Sequence, residues 1–163
     1  MEEGRYRLRS GPSHIKCYVL FVNVTTRNVD ILWIDPGGIE KLFASINPGK
    51  KVKVDTFQTH PWVFRDKDTG EYMQVDHKDV FWPTPCVKLL PNFPQGALNC
   101  RRAVNIHSPV RSLREICLWN ILKNISSDIL TLNNDSICAL GLPVTLTNEL
   151  LAKARSISLY KKL

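Results

Sequence analysis

The chain has 163 residues, 44% of them hydrophobic and 23% charged, with a formal net charge of +7. That length holds one good core, or a domain of about 100 residues with a small appendage. No apolar run approaches the roughly 20 residues that cross a bilayer, and the basic residues are scattered without the interleaved aromatics of a nucleic-acid surface, so neither a membrane nor a nucleic acid is an expected partner.

Residues 1–13 are polar and are expected to be a disordered tail. They carry charges but no apolar core behind them, so no secretory signal is read there. The five cysteines, at 17, 86, 100, 117 and 138, are widely spaced and contain no Cys-x-x-Cys pair. They are expected to be reduced thiols in a cytoplasmic and nuclear protein.

Ile15 to Val24 is apolar on both alternations and predicts a strand buried on both faces. Val29 to Ile34 is a second strand, after which Asp35-Pro36-Gly37-Gly38 supplies turn chemistry. Leu42 to Ile46 is short and ends at Asn47-Pro48-Gly49. Lys51 to Phe57 alternates cleanly, with Val52, Val54 and Thr56 on one face and Lys51, Lys53 and Asp55 on the other. Pro61 to Arg65, Glu71 to Val75, Val80 to Trp82, Cys86 to Leu90 and Arg102 to Ile106 continue the series. Residues 91–100, rich in Pro, Asn and Gly, are expected to be a loop. Short strands at regular spacing, with no β-α alternation, predict an antiparallel sandwich.

After Pro109 the pattern changes. Val110 to Lys123 predicts a helix with Ser108 as N-cap and Pro109 at the first helical position. Asp128 to Asn133 is weakly helical, and Asn133-Asn134-Asp135-Ser136 is expected to break it. A last helix starts near Pro143 and runs to about Leu159. The fold class is therefore α+β: an N-terminal antiparallel β-sandwich followed by a small three-helix domain. Its expected divisions are 14–107 for the sandwich, 108–152 for the helical domain, and 153–163 for a helix end that packs on the sandwich.

The first helix has more apolar surface than a chain this size can cover. Residues three and four apart share a face. Leu113, Cys117 and Ile121 form one stripe with Ile116 beside it, while Leu118, Trp119 and Leu122 point elsewhere. A helix apolar nearly all round must be covered on more than one side. The order Ser112-Leu113, Cys117, Ile121 resembles the elongin-C-binding box of substrate receptors in cullin-based ubiquitin ligases.

The sandwich extends the resemblance. Tyr18-Val19-Leu20-Phe21-Val22-Asn23, Arg27 with Trp33, Pro48-Gly49, and above all Thr56-x-x-x-His60-Pro61-Trp62-Val63-Phe64-Arg65-Asp66 are similar to the von Hippel-Lindau tumour suppressor family. The match covers residues 15–122 well, the remainder loosely, and the N-terminal tail not at all. It implies a non-catalytic receptor whose sandwich binds a hydroxyproline peptide of hypoxia-inducible factor α. Its helical domain would dock elongin C, with elongin B and a cullin carrying its RING subunit completing the ligase.

The residues this singles out are Trp33, Phe43, Thr56, His60 and Trp62 for the peptide. Leu113, Ile116, Cys117 and Ile121 would meet elongin C, and Leu142, Pro143 and Leu146 the cullin. Trp33 and Trp62 offer apolar walls, and Thr56 and His60 can bond a ring hydroxyl. The family has Ser where this chain has Thr56, which keeps the hydroxyl, and Tyr where it has Phe43, which loses one. Without the resemblance, both tryptophans would read as core and His60 as a loop histidine. No cofactor motif, nucleophile elbow or close pair of metal ligands is present.

Overall fold

The computed structural model describes residues 8–90, 93–125 and 134–163, the side chains of 88–98 aside. The chain divides into two compact units, 1–109 and 110–163.

In the first unit, β1 (Lys16–Asn23) lies between β4 (Lys51–Phe57), to which it is antiparallel, and β10 (Arg102–Ile106), to which it is parallel. The second sheet runs β3 (Glu40–Ile46), β2 (Val29–Ile34), β5 (Trp62–Asp66), β6 (Tyr72–Met73), with β7 (Val80–Phe81) also on β5. Inward residues of both sheets form one core, including Val19, Phe21, Ile31, Val54, Phe64 and Ile106. Phe21 sits at its centre, with the rings of Trp62, Phe64 and Phe81 within 5.6 Å. The parallel β1–β10 pair departs from the purely antiparallel expectation. β1 is also not buried on both faces. Cys17, Val19, Phe21 and Asn23 are buried, while Tyr18, Leu20 and Val22 on the outer face are only half-buried.

The stretch 91–100, expected to be a loop, contains β9 (Phe93–Asn99), which pairs with β8 (Val87–Leu90). Because Val87 faces Asn99, the residues just outside them meet, and Cys86 and Cys100 form a disulfide with Cα atoms 5.2 Å apart. These two cysteines are thus not the reduced thiols expected. Sequence spacing alone did not show the hairpin that brings them together.

Polar groups tie the second sheet at its ends. Arg27 reaches Asp66 at 2.7 Å and Glu71 at 3.2 Å. Burial pushes the Asp66 carboxyl up, but the Arg27 hydrogen bond and the N–H groups of Thr69 and Asp68 outweigh it and hold the group below its ordinary value. The buried Arg65 guanidinium clamps Glu40 through two 2.8 Å hydrogen bonds and lies over the Tyr72 ring.

The second unit holds α1 (Leu113–Ile125), α2 (Asn134–Cys138) and α3 (Val144–Tyr160). α1 begins later than expected. Ser112, not Ser108, caps it: Glu115 N–H points to Ser112 Oγ at 3.3 Å, and Ser112 N–H returns to the Glu115 carboxylate at 3.2 Å. This reciprocal pair is a capping box, and the Ser112 N–H holds the Glu115 carboxyl below its ordinary value. α2 starts at Asn134, where a break was expected; the helix expected at 128–133 lies outside the described residues. Gly141, at φ 64°, takes the left-handed conformation after α2. Leu118, Leu122, Ile137, Leu150 and Ala154 make the helical core.

Candidate functional site

The end of β4 and the start of β5 are joined by a tight turn in which His60 N–H donates to the Phe57 carbonyl at 3.0 Å. That turn sets His60 beside the strand end carrying Thr56. Trp62, two residues on, is directly opposite Trp33 in the β2–β5 register, so both indoles lie on the core face. Trp62 is 3% exposed and belongs to the core, while Trp33 is half-buried at its edge.

These side chains are brought together. The indole N–H of Trp62 donates to Thr56 Oγ1 at 3.0 Å, which satisfies the buried indole and leaves the Thr56 hydroxyl hydrogen for another acceptor. Thr56 itself is 4% exposed. The His60 ring stacks on Trp33, with centroids 5.6 Å apart, and leans on Phe57 at 5.1 Å. Its burial pushes the imidazole pKa down, against the Gly11 carbonyl, which favours the protonated form.

Phe43 reaches the group through a fault in the sheet. Leu32 pairs with Leu42 and Ile31 with Ala44, so Phe43 is the extra residue of a β-bulge. A bulge re-aims a side chain. Here the Phe43 ring meets Trp62 edge-on, with centroids 5.4 Å apart, and stays 49% exposed. The outcome is a shallow aromatic recess: Trp33 and His60 on one side, Phe43 on another, and the Trp62–Thr56 pair beneath. The recess can hold a small flat ring by apolar contact and meet one hydroxyl with a donor and an acceptor.

Residues 10–13, expected to belong to a disordered tail, lie against one end of it. Ser10 N–H donates to the Asp35 carbonyl at 3.2 Å and its hydroxyl to the Ile34 carbonyl. Gly11 N–H donates to the Thr59 carbonyl at 3.0 Å, and Thr59 Oγ1 to the Pro12 carbonyl at 2.6 Å. Ser13 Oγ lies 3.1 Å from His60 Nε2. Sequence reasoning missed this segment because it is polar and aperiodic. The available signal was its run of Gly, Pro and Ser, residues that form backbone-bonded turns.

On α1, the open face carries Leu113 (77% exposed), Ile116 and Cys117, while Ile121, expected on the same stripe, is half-buried and packs against the helical core. The opposite face, through Leu118 and Leu122, fills the helical core. Of the remaining candidates, Leu142 and Leu146 pack against that core, while Pro143 is exposed.

Together these features define a class: a β-sandwich with an aromatic, hydroxyl-bearing recess, followed by a small helical unit whose first helix presents an uncovered apolar stripe. The model of the VHL beta domain matches residues 8–88. The chain is 34% identical to the Protein Vhl of Drosophila melanogaster over 163 residues, 98% of this chain and 90% of that one. The chain belongs to the VHL family. That membership supports a ubiquitin-ligase substrate receptor of the VHL type, a subunit that recognises its target and does no covalent chemistry.

Proposed function

We propose that the protein binds a prolyl-hydroxylated segment of hypoxia-inducible factor α and directs it to ubiquitination. The observation that carries this reading is the Trp62–Thr56 hydrogen bond beside the His60–Trp33 stack. It leaves a buried hydroxyl donor and an imidazole at the rim of an aromatic recess. The pyrrolidine ring would lie against Trp33 and Phe43, with its hydroxyl between Thr56 and His60.

Selectivity follows from unsatisfied groups. With plain proline bound, each partner of the missing hydroxyl would be buried without a bond, at about 1–3 kcal/mol. Two such losses amount to roughly 2–6 kcal/mol, or about 30-fold to more than 10⁴-fold in affinity. That range suffices for a switch set by one oxygen atom.

Leu113, Ile116, Cys117 and Ile121 would lie in a groove on elongin C, the helix-in-groove mode, with Cys117 as a small hydrophobe. Elongin B would follow. Pro143 and its neighbours Leu142 and Leu146 would face a cullin carrying its RING subunit. Leu142 and Leu146 would contribute mainly by fixing the start of α3, since both pack on the helical core. The complex would act in the cytoplasm and nucleus.

A second reading is favoured by Phe43, which lacks the tyrosine hydroxyl of the family: an elongin-binding scaffold, with cytoskeletal or matrix partners, that does not read hydroxyproline. Calorimetric titration separates the two. The chain is coexpressed with elongins B and C and titrated with a proline peptide of hypoxia-inducible factor α, with and without the hydroxyl. Binding of the hydroxylated form alone is the expected result. Equal binding, or none, in an assembled complex favours the scaffold.

A further inference from the structure

His60 has two ring nitrogens, and a neutral imidazole donates with one and accepts with the other. Which does which is decided by the partner of the nitrogen facing away from the ligand. Here Nε2 lies 3.1 Å from Ser13 Oγ, a hydroxyl able to donate or accept, on a segment 47 residues earlier in the chain whose Gly11 carbonyl also faces the ring and favours a protonated nitrogen. That segment is held on both sides, by Ile34 and Asp35 at the end of β2 and by Thr59 in the β4–β5 turn.

We propose that Ser10–His14 is a strap built into the recognition site, and that Ser13 is a positioning residue that accepts the Nε2–H of His60 and leaves Nδ1 as the acceptor for a ligand hydroxyl. The inference rests on the hydroxyproline reading. Bond directions then form one consistent chain. The Trp62 indole donates to Thr56 Oγ1, so Thr56 donates its own hydrogen to the ligand oxygen. The ligand hydroxyl donates to His60 Nδ1, and His60 Nε2–H donates to Ser13. From Trp62 to His60 each group then donates the hydrogen it has, and Ser13, which is exposed, turns its own hydrogen to solvent. The opposite tautomer would present an N–H where this chain requires an acceptor. Burial of His60 supports the assignment by holding the ring neutral near pH 7.

The strap is also sterically tuned. A Cβ at Gly11 would lie 3.0 Å from Thr59 Cβ, tight enough that the strap or the turn must give by a few tenths of an ångström. Gly11→Ala is therefore a second route to the same disturbance, acting without touching Ser13.

The test uses the full chain with elongins B and C and two readouts. Nitrogen-15 spectra of the histidine ring report the tautomer in the absence of peptide. Titration with hydroxylated and plain proline peptides reports discrimination. The proposal expects His60 as Nε2–H in the parent protein and loss of that single tautomer in Ser13→Ala. Affinity for the hydroxylated peptide should fall about 3- to 10-fold with the plain peptide unchanged, Gly11→Ala should act in the same direction, and Ser13→Thr should restore binding.

An Nδ1–H ring in the parent overturns the proposal, as does a Ser13→Ala protein with unchanged tautomer and unchanged discrimination. If the parent does not distinguish the peptides, the hydroxyproline reading fails on its own. The ring spectra then decide about Ser13: an altered tautomer in Ser13→Ala sustains its positioning role, and an unaltered one removes it.

Discussion

Trp62 and Thr56 are joined by a 3.0 Å hydrogen bond in which the indole N–H donates and the threonine hydroxyl accepts. Both side chains are buried. A tryptophan that belongs to the core thereby orients the hydroxyl proposed to meet the ligand. The hydroxyl that Thr56 keeps in place of the family's Ser is thus held by the indole, on a residue only 4% exposed.

Phe43→Tyr is expected to tighten binding of the hydroxylated peptide. The bulge already sets the Phe43 ring against Trp62 while leaving about half of it open, so a phenol hydroxyl needs no repacking. One added hydrogen bond contributes about 0.5–1.5 kcal/mol, or roughly 2- to 12-fold in Kd by titration. An unchanged or weaker affinity would mean that this ring does not line the ligand.

Recognition should weaken in acid. His60 must be neutral to accept from the ligand hydroxyl, and its pKa is pushed below the ordinary 6.5 by burial. Discrimination between hydroxylated and plain peptides should therefore persist at pH 6.5 and fade only as pH drops through the depressed value. Stability shifts in the same direction. The unfolded chain takes up this proton first, so His60 contributes a loss of stability that begins below about pH 6.5 and is complete below the folded pKa. Titrations from pH 7.5 to 5 check both; discrimination that rises in acid would place the charged imidazole in the site instead.

The two faces of α1 should respond differently to truncation. Leu118→Ala removes a side chain from the helical core and should cost about 2–5 kcal/mol in denaturant unfolding. Leu113→Ala acts at a site 77% exposed, and should change stability by less than about 0.5 kcal/mol while abolishing copurification with elongin C. Retention of elongin C by both Leu113→Ala and Cys117→Trp would exclude the open stripe as its contact.

His77→Gly should stabilise the sandwich. Asp76 and His77 both have positive φ, 51° and 61°, in a two-residue turn closed by hydrogen bonds between Val75 and Lys78. Such turns favour glycine. Relief of the left-handed strain exceeds the added chain entropy, for a gain of roughly 0.5–1 kcal/mol in thermal unfolding. A loss would show that the His77 side chain makes a contact of value.

Local patterning was enough to place most strands, because alternation at period two marks which face of a sheet a residue takes. It put Val54 and Thr56 inward and Lys51 and Lys53 outward, as found. It likewise divided α1 into the Leu118–Leu122 face and the Leu113–Cys117 face, because three- and four-residue spacing fixes a helix face whatever covers it. The set Thr56, His60 and Trp62 was singled out by the family resemblance and not by periodicity, which read Trp62 as core and His60 as a loop residue; the three are neighbours because they lie within one turn and two strand ends.

What only the tertiary structure decided depends on partners distant in the chain. The strap carrying Ser13 finds His60 by hydrogen bonds to turn and strand ends, which leave no periodic trace. Phe43 turns onto Trp62 through a bulge whose register is set by pairing with β2. Cys86 and Cys100 meet because a strand full of Pro, Asn and Gly pairs as a hairpin, and β10 lies parallel to β1 although no sequence pattern distinguishes that neighbour from an antiparallel one. Periodicity determines which side of an element is apolar; which backbone it pairs with, and which polar atom it meets there, is a property of the assembled sheets.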